Sequence, residues 1–75
     1  MKIEVLGTGC AKCKKLFENV QEALQQSGKE AEVTKVEDIK KIMDYGVMST
    51  PALVVDGQVK ISGKLPSVRE IEGLL

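Results

Sequence analysis

The sequence predicts a small α/β domain: a four-stranded mixed sheet, strand order 2-1-3-4, flanked by three helices in the chain order β-α-β-α-β-β-α. Three observations carry this. The short apolar run "KIEVL" stops at "GTG", and a three- and four-residue recurrence of apolar side chains then runs from Ala11 to about Ser27. The next segment, "EAEVTKVE", alternates in the manner of a half-buried strand. Finally, "ALVVDGQVKIS" places Asp56-Gly57 between two β-rich runs, a strong hairpin signal.

The elements follow in order. Residues 2–6 form the first strand. In the first helix Cys13, Leu16, Phe17, Val20 and Leu24 make one apolar stripe, and Gly28 ends it, because glycine takes the left-handed conformation just past a helix end. The second strand covers residues 30–37. A second helix fits residues 38–45, with Asp38 as its cap and Ile39, Ile42 and Met43 as its buried stripe. The hairpin follows Pro51. "PSVREIEGLL" then opens the last helix, where Ser67 and Glu70 have capping-box spacing and Ile71, Leu74 and Leu75 face the core. A β-α-β connection in one sheet pairs its strands in parallel through a right-handed crossover, and the hairpin adds antiparallel strands.

The 75 residues make a single domain, 1–75, with no room for a second core. Eleven basic and eleven acidic residues cancel, so no overall field draws the chain to nucleic acid or anionic lipid. With Phe17 and Tyr45 as the sole aromatic residues, there is no stacking platform for bases. No stretch is long and apolar enough for a membrane span, and "MKIEVLG" lacks the apolar run of a secretory signal. We therefore expect a cytoplasmic protein, monomeric, in a compartment where paired cysteines are more often catalytic or metal-binding than structural.

Cys10 and Cys13 are the only cysteines, and they stand where the first strand gives way to the first helix. A bridge between them closes almost no loop and removes little unfolded-state entropy. If the pair is oxidised, the reason is chemical. The unsatisfied N–H groups of a helix start favour a thiolate, and Lys12, Lys14 and Lys15 add positive potential. Residues three apart on a helix lie on one face with Cα atoms about 5–6 Å apart, within the range a disulfide accepts. Cys13 begins the apolar stripe and is expected to be buried, with Cys10 exposed. Dithiol exchange needs that asymmetry: an accessible low-pKa nucleophile and a shielded partner that resolves the mixed disulfide.

Two other readings compete. The cysteines can be unreactive small core residues. Two thiolates at this spacing also suit a soft ion such as Cu(I). Zinc is less suited, since a closed site takes four protein ligands and the chain has no His and no third Cys.

A strand, then Cys-x-x-Cys opening a helix, then Thr50-Pro51 leading into a hairpin and a last helix, resembles the thioredoxin fold. More narrowly, the chain looks like the small redox-active disulfide proteins of the thioredoxin and glutaredoxin kind, known mainly from archaea and some bacteria. The agreement in element order covers essentially the whole chain. The resemblance implies a thiol-disulfide oxidoreductase whose only redox group is the Cys10–Cys13 disulfide, with no further cofactor and no metal. It makes Cys10 the attacking thiol and Cys13 the resolving thiol. It implies a cis Thr50-Pro51 bond packed against the disulfide, with the backbone of Thr50 meeting an incoming peptide; proline brings the cost of the cis form within reach. Its partners would be protein disulfides and a reductase or small thiol that the sequence does not identify. An ordinary trans proline starting an edge strand is the alternative for Pro51.

The departures are as informative. Thioredoxin proper has Trp-Cys-Gly-Pro-Cys, whereas Gly9 precedes Cys10 here and Ala11-Lys12 fill the loop. Lys12 in the place of proline is expected to alter the reduction potential. Gly63 is similar to the glycine near the glutathione site of glutaredoxins, but nothing else of that site is recognisable. Glu4 lies six residues before Cys10, where thioredoxin keeps a buried acid that moves the resolving proton. The favoured reading of Glu4 is nevertheless a solvent-facing side chain on a small sheet.

The remaining features read as ordinary structure: Met43 and Met48 as packing, Tyr45 as a helix-end packing residue, and the lysines of the first helix as a solvated face, with steering of an acidic partner as the alternative. Two rival functions stay open. One is a metal carrier resembling the heavy-metal-associated domains, which also present Cys-x-x-Cys after a first strand but run β-α-β-β-α-β and carry Met where this chain has Thr8. The other is a redox switch that forms one disulfide without turnover.

Overall fold

In the computed structural model, residues 1–7 and 11–75 are described, and residues 8–10 lie outside the described set. The elements run β1 (Lys2–Leu6), α1 (Ala11–Ser27), β2 (Glu32–Val36), α2 (Ile39–Asp44), β3 (Ala52–Val55), β4 (Gln58–Ser62) and α3 (Val68–Leu74). They form one four-stranded sheet in the order β2-β1-β3-β4. β1 pairs with β2 in parallel, Ile3 opposite Val33 and Val5 opposite Lys35. It pairs with β3 antiparallel, and β3 with β4 likewise. The mixed sheet and the three helices match the arrangement expected from the sequence.

Strand alternation sorts the core into two layers. Ile3 and Val5 of β1, with Leu53 and Val55 of β3, face α1 and α3, where Leu16, Val20, Ala23, Leu24 and Ile71 complete a buried cluster. Leu6, Ala52 and Val54 point to the opposite face and meet Val36, Ile42 and Val47, with Tyr45 packed alongside. β3 is buried along its whole length because both its faces are covered.

The local signals explain the boundaries. α1 ends at Ser27, and Gly28 takes φ +69°. At the hairpin tip Asp56 and Gly57 both have positive φ, 50° and 82°, as a type I′ turn requires. Asp56 also ties the hairpin to β1: its N–H donates to the Lys2 carbonyl at 2.8 Å, and its Oδ1 accepts from the Lys2 N–H at 2.8 Å. α3 opens with a complete capping box, Ser67 Oγ accepting from the Glu70 N–H and Glu70 Oε1 from the Ser67 N–H. Leu74 and Leu75 are half-buried against the core that Ile71 enters fully.

α2 departs from expectation. Asp38 caps it by accepting from the Lys40 N–H at 2.9 Å, but of its expected stripe only Ile42 is buried. Ile39 is 62% exposed and Met43 67% exposed. A helix of six residues makes fewer than two turns, so a single position reaches the sheet. Met48, expected to pack, is 97% exposed. The β2 strand is also shorter than expected, beginning at Glu32. Among the described residues, no helix is long and apolar enough to cross a membrane.

Candidate functional site

The candidate site forms where β1 ends and α1 begins. Cys13 occupies the first turn of α1, on the stripe that Leu16 and Val20 continue, and it is 6% exposed. It is disulfide-bonded. Cys10, the proposed nucleophile, lies outside the described residues, as does Thr8.

Gly7 makes room for Cys13. A methyl group at position 7 would collide with Cys13 Sγ and stand 2.9 Å from its Cβ, so the sulfur rests directly against the backbone that follows β1. The same methyl would lie 4.0 Å from the Cβ of Thr50, which brings that residue to the same corner. The Thr50–Pro51 peptide bond is cis, Pro51 is buried and Thr50 is exposed. The loop is held from the far side by Gly63, whose N–H donates to the Pro51 carbonyl at 2.9 Å. A Cβ on Gly63 would come within 2.9 Å of the Ser49 Cβ, so glycine permits this close passage too.

A recess of about 30 Å³ opens beside Cys13, lined by Val5, Gly7, Cys13, Lys14, Lys35 and Glu37. Of the α1 lysines, Lys14 reaches it; Lys12 is exposed, and Lys15 stands 4.0 Å from Glu18 as an exposed ion pair. Lys35 lies over the Phe17 ring, 4.5 Å from its centroid, a cation–π contact that fixes its long side chain against α1. Neither Lys35 nor Glu37 stands out in the sequence, where they read as ordinary polar positions of a half-buried strand. The period-two alternation that turns Val5 toward α1 was the available signal, since Lys35 pairs with Val5.

Glu4 is not free in solvent, and it does not line the recess beside Cys13. It points to the α2 face, half-buried, and its Oε1 accepts a 2.7 Å hydrogen bond from the Tyr45 hydroxyl. That bond, with desolvation and the Glu4 charge adding to it, holds the Tyr45 phenol above its ordinary value. Tyr45 is thus the C-cap residue of α2, as expected of a helix-end packing residue, and also the partner of Glu4. Asn19 is a third polar residue, after Lys35 and Glu37, that the sequence does not flag. It sits at a stripe position of α1, 8% exposed, and its Nδ2 donates to the Pro66 carbonyl at 3.1 Å, tying α1 to the entry of α3.

No group of three or more His, Cys, Asp or Glu side chains is placed to hold a metal among the described residues. The elements run β-α-β-α-β-β-α, with α2 between β2 and β3, and this order differs from the β-α-β-β-α-β of the heavy-metal-associated architecture.

A family model described as "Thioredoxin domain" matches residues 1–75. A protein named "Thioredoxin" from Methanothermobacter thermautotrophicus is 41% identical over 75 residues, covering 100% of this chain and 97% of its own length. Another "Thioredoxin", from Methanocaldococcus jannaschii, is 41% identical over 70 residues, with 93% of this chain and 80% of the relative covered. A "Probable Thioredoxin" from Methanothermobacter marburgensis is 36% identical over 67 residues, covering 84% and 79% of the two chains. Fold, family match and full-length similarity agree: the chain belongs to the thioredoxin-like superfamily of thiol-disulfide oxidoreductases.

Proposed function

We propose that the protein reduces or exchanges protein disulfides through a Cys10–Cys13 couple. In the reducing direction the Cys10 thiolate attacks a substrate sulfur, the substrate S–S bond breaks, and a mixed disulfide forms. The Cys13 thiolate then attacks Cys10 Sγ, releasing the second substrate sulfur and leaving Cys10 and Cys13 joined as a disulfide. Two electrons have passed to the substrate, and a reductase or small thiol restores the dithiol. Thr50 offers its backbone to the incoming peptide, Pro51 shapes the loop, and Lys12 tunes the couple by its charge. The cytoplasm, where thiols are kept reduced, suits this cycle.

The observation that carries this reading is the burial of Cys13 in the first turn of α1, its sulfur seated on Gly7 at the corner that Thr50 also enters. A shielded thiol at a helix start, beside a loop open to a peptide, is what the resolving half of a dithiol couple requires. The purified protein should catalyse insulin reduction in the presence of dithiothreitol. Cys10→Ser should abolish it, and Cys13→Ser should accumulate mixed disulfides with several substrates. No turnover from the unaltered chain, together with tight stoichiometric Cu(I) binding, would reverse the assignment in favour of a metal carrier. Capture of one partner without turnover would indicate a redox switch.

A further inference from the structure

We propose that Glu37 accepts the proton of Cys13 during resolution of the mixed disulfide, through one water molecule held between them. This rests on the dithiol cycle above and assigns a residue to its second step.

The placement follows from strand geometry. Lys35 lies on the α1 face, over Phe17, and Val36 turns to the opposite layer. Glu37, two residues beyond Lys35, returns to the α1 face. The β1–β2 ladder continues past both strands, because the Gly7 N–H donates to the Val36 carbonyl at 3.0 Å. That bond sets residue 37 beside Gly7, and Gly7 is the residue on which Cys13 Sγ rests. The recess shared by Cys13 and Glu37, about 30 Å³, has room for a single water, and its polar lining can hold one.

The charges around the thiol define the roles. α1 contributes Lys14, while β2 and the residue after it contribute Lys35 and Glu37; β1 and the residue after it contribute only the uncharged Val5 and Gly7. Two of the three charged groups are ammonium ions, so among the described residues lining the recess Glu37 is the one proton acceptor. An ordinary cysteine is only a few per cent thiolate at pH 7, so the resolving step gains from a base. The Sγ–H proton passes to the water, and the water gives a proton to the Glu37 carboxylate. The sulfur electron pair forms the bond to Cys10 Sγ. The Cys10–substrate bond breaks, and the leaving thiolate takes a proton from solvent. Glu37 is exposed, which lets the accepted proton pass to bulk water. The ammonium of Lys35, fixed over Phe17, favours the thiolate that forms.

The test uses the mixed disulfide formed when the reduced protein meets Ellman's reagent, with release of the second thionitrobenzoate followed by stopped flow. Glu37→Gln should slow that release by about 100-fold near pH 6.5, within the usual range for general-base catalysis. The defect should shrink as pH rises through the thiol pKa, and small carboxylate or imidazole buffers should restore the rate. If Glu37 acted only as a nearby charge, its removal would favour the thiolate and speed release; an unchanged or faster rate overturns the proposal. Alkylation rates against pH in Cys10→Ser, with and without Glu37→Gln, provide the second measurement. Loss of the carboxylate should lower the Cys13 thiol pKa, and an unmoved pKa would show that Glu37 does not face the sulfur. The unaltered chain separates the two levels of the argument. Failure to release the second thionitrobenzoate there refutes the dithiol cycle itself, whereas normal release in both chains refutes only the role of Glu37.

Discussion

The two faces of the sheet are built unequally. One carries a 17-residue helix and α3, packed over Ile3, Val5, Leu53 and Val55. The other carries a six-residue helix that buries Ile42 and leaves Ile39 and Met43 in solvent. Among the described residues, the first face holds the fully buried large side chains Ile3, Leu16, Leu53, Ile71 and Val20, whereas Leu6 and Val54 alone of that class face α2. The asymmetry separates two tasks. The thick layer carries Cys13, buried in the first turn of its long helix, and the thin layer holds the chain between β2 and the Thr50–Pro51 loop against the sheet with few contacts.

The sharpest way to break this contrast is to remove one side chain from each layer. Leu16→Ala should cost about 4 kcal/mol, because the site is sealed on every side and cannot collapse into solvent. Ile42→Ala should cost about 2 kcal/mol, since the short helix can settle toward the sheet. Urea unfolding monitored by circular dichroism would measure both. Equal losses would show that the α2 layer is as tightly packed as its partner, and the division of labour would fall.

Gly7→Ala probes the seam between the layers. Overpacking a seat this tight should cost about 1–3 kcal/mol. It should also push Cys13 off the end of β1 and slow release of the second thionitrobenzoate while leaving formation of the mixed disulfide largely intact. A variant with the stability and both rate constants of the unaltered chain would show that the close approach of Gly7 and Cys13 has no bearing on the cycle.

How far these features were legible in the sequence depends on how local their causes are. The Asp56-Gly57 turn, the Ser67–Glu70 box and the stripe of α1 rest on neighbours a few residues apart, and each stood in the sequence much as it stands in the structure. The exposure of Ile39 and Met43 did not. Their spacing defines a helix face, but whether a second layer covers that face depends on where the six-residue helix lands. Gly7 read as a strand end, because the sulfur it accommodates is six residues away in sequence and reaches it only through the strand-to-helix turn. Glu4 had the right alternation for the α2 face, yet its partner Tyr45 lies 41 residues on. Glu37 was hidden by the same rule: a polar residue just past a strand gives no sign of what the neighbouring helix presents to it.

The Tyr45–Glu4 bond offers the gentlest test of the contrast, because it is a polar tie between the thin layer and the sheet. Tyr45→Phe removes a hydroxyl that donates to a half-buried carboxylate, and a loss of about 1 kcal/mol is expected at neutral pH. The pH dependence supplies the signature. The hydrogen bond to Glu4 raises the folded-state pKa of Tyr45 above the ordinary 10.0, so the protonated phenol is favoured by folding. Its contribution is therefore complete below that ordinary value and is lost as pH rises through the folded-state pKa. Every other group is the same in both proteins, so the difference between the unaltered chain and Tyr45→Phe isolates the phenol. That difference should be constant from pH 6 to pH 9 and shrink at higher pH. No difference between the two proteins at any pH would mean that Tyr45 holds α2 by ring packing alone. Among the described residues, the attachment of the thin layer would then rest on Ile42 and its apolar neighbours.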